Sequence, residues 1–316
     1  MFIYYSTVSF TVLFLERNDI FMKKILFKGC GTAIVTPFSP TGEIDYAVFE
    51  ELIESQIAGK VDSIIVCGTT GESSTMSEQE KKDAIRFVVK QVDGRVPVIA
   101  GTGSNNTQSA IAMTKFAQEA GAEGALLVTP YYNKTTQEGL IAHYKAIASS
   151  TSLPIILYNV PSRTGVNIAP ETCQALSSLD NIVAIKEASG NLSQVAKIAA
   201  LCKDDLAIYS GNDDQVLPIL SLGGIGVISV LSNIYPGFVH DMVINFLDGD
   251  IVKARDAQLK AIPLIDALFC EVNPIPVKAA LILKGFKVGS PRLPLIPMSV
   301  HGCEQLVKAL GDFEIV

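Results

Sequence analysis

The sequence predicts a (β/α)₈ barrel carrying a C-terminal helical extension, and three observations point there. From residue 30 onward, short β-branched runs that are almost continuously apolar alternate with amphipathic helical segments. Strands of a parallel sheet covered on both faces read this way. Eight such units fit within roughly 200 residues, the economy of a closed barrel. Polar residues collect at the C-terminal ends of the runs, where barrel enzymes keep their chemistry. An open doubly wound sheet is the alternative, but no G-x-G-x-x-G follows the first run, and the "GTG" at 101–103 is too short to count.

In chain order the strand candidates are "GTAIVTPF" (31–38), "SIIVCGTTGE" (63–72), "VPVIAGTG" (96–103) and "GALLVTPYYN" (124–133). They continue with "PIILYNVP" (154–161), "NIVAIKEASG" (181–190), "LAIYSGNDD" (206–214) and "GIGVISVLSN" (224–233). Amphipathic segments such as "SEQEKKDAIRFVVKQV" (77–92) and "NTQSAIAMTKFAQEAG" (106–121) lie between them. Ser77 followed by Glu80 has the pattern of a helix-opening capping box. After Asn233 the strand pattern stops, so residues 22–233 read as the barrel and 234–316 as helices docked on it without a linker.

The first 21 residues stand apart. "MFIYYSTVSFTVLFL" is apolar for about 15 positions, short of the ~20 a membrane helix needs. No basic residues precede it, as they would in a signal peptide. Met22, followed by "KKILFKG", reads as the functional start, with residues 1–21 as an extension outside the native fold. A peripheral membrane anchor is the alternative.

Composition narrows the function classes. Hydrophobic residues make up 48% and charged ones only 18%, which implies much buried surface, subunit interfaces included. A net charge of −7 and the lack of any basic run argue against a nucleic-acid partner. The six cysteines are scattered without a C-x-x-C pair and read as small core residues in a reducing cytoplasm. The three histidines (His143, His240 and His301) are too dispersed to build a metal site.

The strand ends carry Thr36, then Thr69, Thr70 and Glu72, then Tyr131, Tyr132 and Asn133, then Tyr158 and Asn159, then Lys186 and Glu187, then Ser210 to Asp213. Side chains alternate along a strand. Ala184, Lys186 and Ala188 therefore share one face, and Val183, Ile185 and Glu187 the other. Small neighbours suit a crowded interior with room for a ligand, and bulky Val and Ile suit the helix-facing layer. By the same alternation Ile156 pairs with Tyr158, opposite Asn159, and Cys67 pairs with Thr69. Lys186 and Tyr158 then lie on adjacent strands, both aimed inward. An ammonium in a partly apolar pocket gives up its proton more readily than one in water, and the neutral amine condenses with ketones. A nearby tyrosine and threonine supply proton transfer. The alternative is a Lys186–Glu187 ion pair at the barrel mouth, which opposite parity weakens.

Taken together, "GTTGES" (68–73), "TPYYN" (129–133), "YNVPSRTG" (158–165), "IKEASGN" (185–191), "SGND" (210–213) and "NPIPVK" (273–278) resemble the dihydrodipicolinate synthase family from about Gly29 to the C-terminus. The resemblance implies condensation of pyruvate with L-aspartate-4-semialdehyde to 4-hydroxy-tetrahydrodipicolinate, the committed step toward diaminopimelate and lysine. It implies that Lys186 forms an imine with pyruvate and that Tyr158 moves protons there. Thr69 would link Tyr158 to Tyr132 of a neighbouring subunit, so the chain would be at least a dimer, and by resemblance a cytoplasmic homotetramer. Thr70 and its loop backbone would hold pyruvate's carboxylate, and Arg163 the semialdehyde's, a task its planar fork suits. Gly211 and Ile228 would line the pocket. No cofactor or metal is implied, because the imine is itself the electron sink.

N-acetylneuraminate lyase and 2-keto-3-deoxygluconate aldolase resemble the chain in barrel and Schiff-base lysine. The double threonine and Arg163 favour the synthase. A catalytically silent pyruvate-binding regulator is the remaining reading. The resemblance further implies a regulatory cleft near Ser73, Ser74, Asn105 and Tyr131. Lysine-inhibited relatives carry a carboxylate where this chain has Ser109, and commonly a histidine or an acid where it has Lys81. A hydroxyl and a cation are poor hosts for an ammonium. Sub-millimolar lysine is therefore expected to leave the rate unchanged in a coupled assay, and inhibition in that range would refute this reading.

Overall fold

The computed structural model describes residues 23–315, so the reading of residues 1–21 lies outside what is described. The expected (β/α)₈ barrel is the fold observed. Eight parallel strands close in chain order. They are β1 (Gly29–Ala33), β2 (Ser63–Val66), β3 (Val98–Gly101), β4 (Gly124–Val128), β5 (Ile155–Asn159), β6 (Ile182–Glu187), β7 (Ala207–Ser210) and β8 (Gly226–Ser229). Closure between β8 and β1 pairs Gly226 with Gly29. A Cβ at Gly226 would stand 2.3 Å from the Gly29 carbonyl oxygen, so only glycine fits that seam. Strands are shorter than the apolar runs: β1 ends at Ala33, and Thr36 lies beyond it, donating to the Gly71 carbonyl at 2.7 Å.

The interior is filled by inward side chains, among them Phe27, Ile65, Ile99, Leu126, Ile156, Tyr209 and Ile228. Phe27 stacks on Tyr209 with ring centres 4.4 Å apart and closes the bottom. Outward residues such as Ile64, Val66 and Val98 pack with the helices. The helix Glu78–Val92 shows how the sequence sets these. Ser77 accepts from the Glu80 amide at 3.2 Å and Glu80 accepts from the Ser77 amide at 2.8 Å, which starts the helix. Ala84, Ile85, Val88 and Val92 then form its buried stripe.

Within β6 strict alternation fails. Ile182 pairs with Ile155 but Ala184 with Ile156, leaving Val183 as a bulge. Val183 accordingly packs in the interior cluster rather than beside Ile185, which faces the helices. One extra residue reverses the facing of everything before it and leaves Lys186 inward.

Packing continues past residue 233. The helix Pro236–Leu247 buries Val239, Met242 and Val243 and covers β8 and β1. Helices Ile251–Leu268, Ile275–Leu283 and Val300–Ile315 follow. Among the described residues no helix is long and apolar enough to cross a membrane.

The last two of these helices are joined by a segment anchored through Arg292. Its guanidinium lies 4.1 Å from the centre of the Phe38 ring and 2.5 Å from Glu80. The Arg292 bond holds the Glu80 carboxyl down from 4.5 to about 2. A depressed carboxylate stabilises the fold above its unfolded value, and that contribution is lost as pH falls through the folded one. Glu80→Gln keeps the capping box and removes the charge. It is expected to lower Tm by about 2 °C at pH 7, a partly exposed pair being weak. Scanning calorimetry should show the deficit undiminished down to about pH 4.5 and closing toward pH 2.

Candidate active site

Strand register builds the site. Tyr158 on β5 pairs with Lys186 on β6, and Lys186 pairs with Tyr209 on β7, so three inward side chains form one row. The two tyrosines divide in environment. Tyr209 is fully buried, donates to the Phe27 carbonyl at 2.7 Å, and has its phenol pushed up by burial. It seals the floor. Tyr158 instead borders a cavity of about 200 Å³ at the C-terminal mouth of the barrel, with Lys186 beside it. The Lys186 Nζ stands 4.4 Å over the centre of the Tyr158 ring, and the residue is only 5% exposed.

Thr69, Thr70, Arg163 and Gly211 line the same cavity. A Cβ at Gly211 would come 3.0 Å from the Lys186 Cε and 2.7 Å from the Ala188 Cβ, so the glycine makes room for the lysine. Arg163 belongs to a short helical turn, Pro161–Thr164, directly after β5. Ile228 is in the interior cluster and off the cavity wall. Thr69 and Tyr158 share the cavity without a hydrogen bond between them among the described residues. Tyr132 is 91% exposed, has φ +68°, and lies outside the cavity lining. One chain alone therefore does not bring Tyr132 to Thr69.

Cys67 departs from the alternation expected of it. Its φ of +56° turns the chain at the end of β2, and its side chain packs with the helices instead of sharing a face with Thr69. Burial pushes its thiol up to about 12.

Glu187 takes no part in the cavity. Its carboxylate accepts from Asn159 Nδ2 at 3.1 and 3.2 Å, from the Ser189 amide at 2.6 Å and from Gln194 Nε2 at 3.2 Å. These bonds face the helix side and leave the Lys186–Glu187 ion pair unmade. A second buried carboxylate, Asp213, ties two strand ends together. Its Oδ2 accepts from the Val230 and Leu231 amides at 2.9 and 3.0 Å. Burial pushes this carboxyl up, against the opposing pull of Ser229 and the two amides.

Sequence reasoning passed over Asn273 and Phe269, both on the cavity wall. Asn273 Nδ2 donates to Thr70 Oγ1 at 3.0 Å, and its carbonyl accepts from Arg163 Nη2 at 3.3 Å. The only signal was its place at the head of "NPIPVK". Phe269, at the end of the helix Ile251–Leu268, carried none.

Four of the six residues expected at a regulatory cleft share one cavity. A cavity of about 210 Å³ is lined by Ser73, Lys81, Ser109 and Tyr131, but neither Ser74 nor Asn105 is on its wall. Asn105 instead uses its carbonyl to accept from Asn133 Nδ2 at 3.0 Å. Glu78 also lines the cleft, a carboxylate the sequence reading did not count, and it is 2.5 Å from Lys82. Among the described residues no group of three or more His, Cys, Asp or Glu side chains could hold a metal ion.

An enclosed primary amine, a tyrosine at its side, hydroxyls and a guanidinium on the wall together suit imine chemistry on a carboxylated carbonyl compound. Comparison with known proteins agrees. The profile of the Dihydrodipicolinate synthetase family matches residues 26–312. The 4-hydroxy-tetrahydrodipicolinate synthase of Caldicellulosiruptor saccharolyticus is 59% identical over 290 residues, covering 92% of this chain and 98% of that one. The Cyanidioschyzon merolae enzyme, solved with lysine bound, superposes with a TM-score of 0.90 at 45% identity, over 93% of this chain and 100% of that one. The Acinetobacter baumannii enzyme, solved with pyruvate, gives 0.89 at 43% identity, over 92% and 99%.

Proposed function

The chain belongs to the dihydrodipicolinate synthetase family, and from that premise we propose that it condenses pyruvate with L-aspartate-4-semialdehyde through an imine on Lys186. The observation that carries the proposal is the lysine itself: a buried amine in a cavity, with no ion-pair partner among the described residues. A primary amine enclosed beside a tyrosine and hydroxyl groups is the nucleophile that imine formation with a ketone requires.

The amine adds to the ketone carbon of pyruvate and water leaves, giving the imine. Loss of a methyl proton gives the enamine, whose terminal carbon attacks the aldehyde. The amino group of the second substrate then attacks the imine carbon and expels Lys186, closing the ring of 4-hydroxy-tetrahydrodipicolinate. Every step moves a proton, and Tyr158 is the phenol on the cavity wall placed to carry it. Thr70 holds the carboxylate of pyruvate. Arg163, on the same wall, takes that of the aldehyde. Gly211 keeps the space beside Lys186 open. Thr69 extends the proton path toward Tyr132 of a second copy. The exposure of Tyr132 in the single chain supports this assignment, which makes the enzyme a dimer at the least.

Borohydride reduction in the presence of pyruvate is expected to add one irreversible adduct, located on Lys186 by peptide mass spectrometry. Lys186→Ala should take up none. An adduct on another lysine, or none in the wild type, would remove the mechanism.

Arg163→Ala is expected to leave that adduct intact while kcat/KM for the aldehyde falls about tenfold to a hundredfold. That range corresponds to one charge-assisted hydrogen-bond contact. Unchanged kinetics would point to an aldolase for uncharged or polyhydroxylated aldehydes.

A further inference from the structure

We infer that Glu72 and Lys278 are positioning residues for this reaction, a buried ion pair through which the C-terminal segment sets the hydroxyls of Thr69 and Thr70. The inference rests on the proposed function and adds to it two residues that do not touch the cavity.

Glu72 ends the turn that begins at Thr69: its amide donates to the Thr69 carbonyl at 3.0 Å, and its φ is +53°. A glutamate adopts that left-handed geometry only where its surroundings hold it there. Here they hold it by the side chain. Oε1 accepts from Lys278 Nζ at 2.7 Å, and Oε2 from the Arg292 amide at 2.9 Å. Both members of the ion pair are shut off from solvent. Lys278 Nζ also lies 4.3 Å over the Phe38 ring. Burial pushes its ammonium down, and the Glu72 carboxylate opposes this.

Stability is a poor reason for such a pair, because well-packed apolar residues of similar volume commonly serve as well or better. Geometry supplies a better one. Lys278 stands on the helix Ile275–Leu283, preceded by Asn273, whose Nδ2 donates to Thr70 Oγ1. One C-terminal element thus grips the loop twice, at Thr70 directly and at Glu72 through charge. Between the grips the turn has few conformations left. Asn273 holds the Thr70 hydroxyl directly, and the Glu72 amide ties the Thr69 backbone through its carbonyl.

Two kinds of variant separate positioning from folding. Glu72→Gln/Lys278→Met removes both charges together, so no uncompensated ion stays buried. Glu72→Asp keeps the pair but shortens the tether by one carbon. For whichever variant melts within a few degrees of wild type, the expected result is a retained pyruvate adduct on Lys186 under borohydride. Its KM for pyruvate should rise about tenfold and its kcat should fall, as displaced carboxylate and proton-relay hydroxyls require. Wild-type KM and kcat in such a variant would overturn the inference. If both variants melt far below wild type, the pair is a folding element, and the inference is overturned equally. The wild type serves as the control: no adduct there would count against the proposed function and leave this geometry to be explained otherwise.

Discussion

Closure of the barrel is the constraint on which everything else depends. Eight strands leave an interior only wide enough for side chains, so each inward residue is packed by its neighbours in register. Tyr158, Lys186 and Tyr209 fall in one row for that reason alone. At one end of the row Tyr209 stacks on Phe27 and closes the floor. Above it, the cavity opens. Lys186 at this level has an aromatic face for company rather than a carboxylate.

Acidic residues surround the site without entering it. Glu187 is one residue from Lys186 yet is absorbed by Asn159, Gln194 and a backbone amide on the opposite face. Asp213 is spent on the amides of Val230 and Leu231. Glu72 is held by Lys278. Each carboxylate fixes a loop at a strand end, so loops that elsewhere would be mobile become walls. Rigid walls matter for a reaction in which an imine, an aldehyde and an amine must meet in order.

Legibility in the sequence varied with the range of the interaction. Alternation placed Lys186 and Glu187 on opposite faces correctly, because parity at a strand end is local. It misplaced Val183, where a bulge inserts one residue, and Cys67, where a positive φ turns the chain out of the strand. Neither exception has a composition signal: a valine in a bulge looks like any strand valine. Glu78 escaped notice in the cleft because its place on the wall depends on how the Glu78–Val92 helix lies beside its neighbours.

The sequence by itself determined the order of strands and helices, the facing of the residues at the ends of β5 and β6, and a motif set specific enough to imply an imine-forming lysine. These are properties of neighbouring residues, which covalent geometry and periodicity dictate. Only the tertiary structure decided which of two flanking tyrosines borders the cavity, and which distant groups brace the threonines. Asn273 and Thr70 are 203 residues apart in the chain, and Lys278 and Glu72 are 206. Contacts of that span exist only once the barrel has closed and the C-terminal helices have docked, since a buried polar group takes whichever partner the packed fold brings within reach.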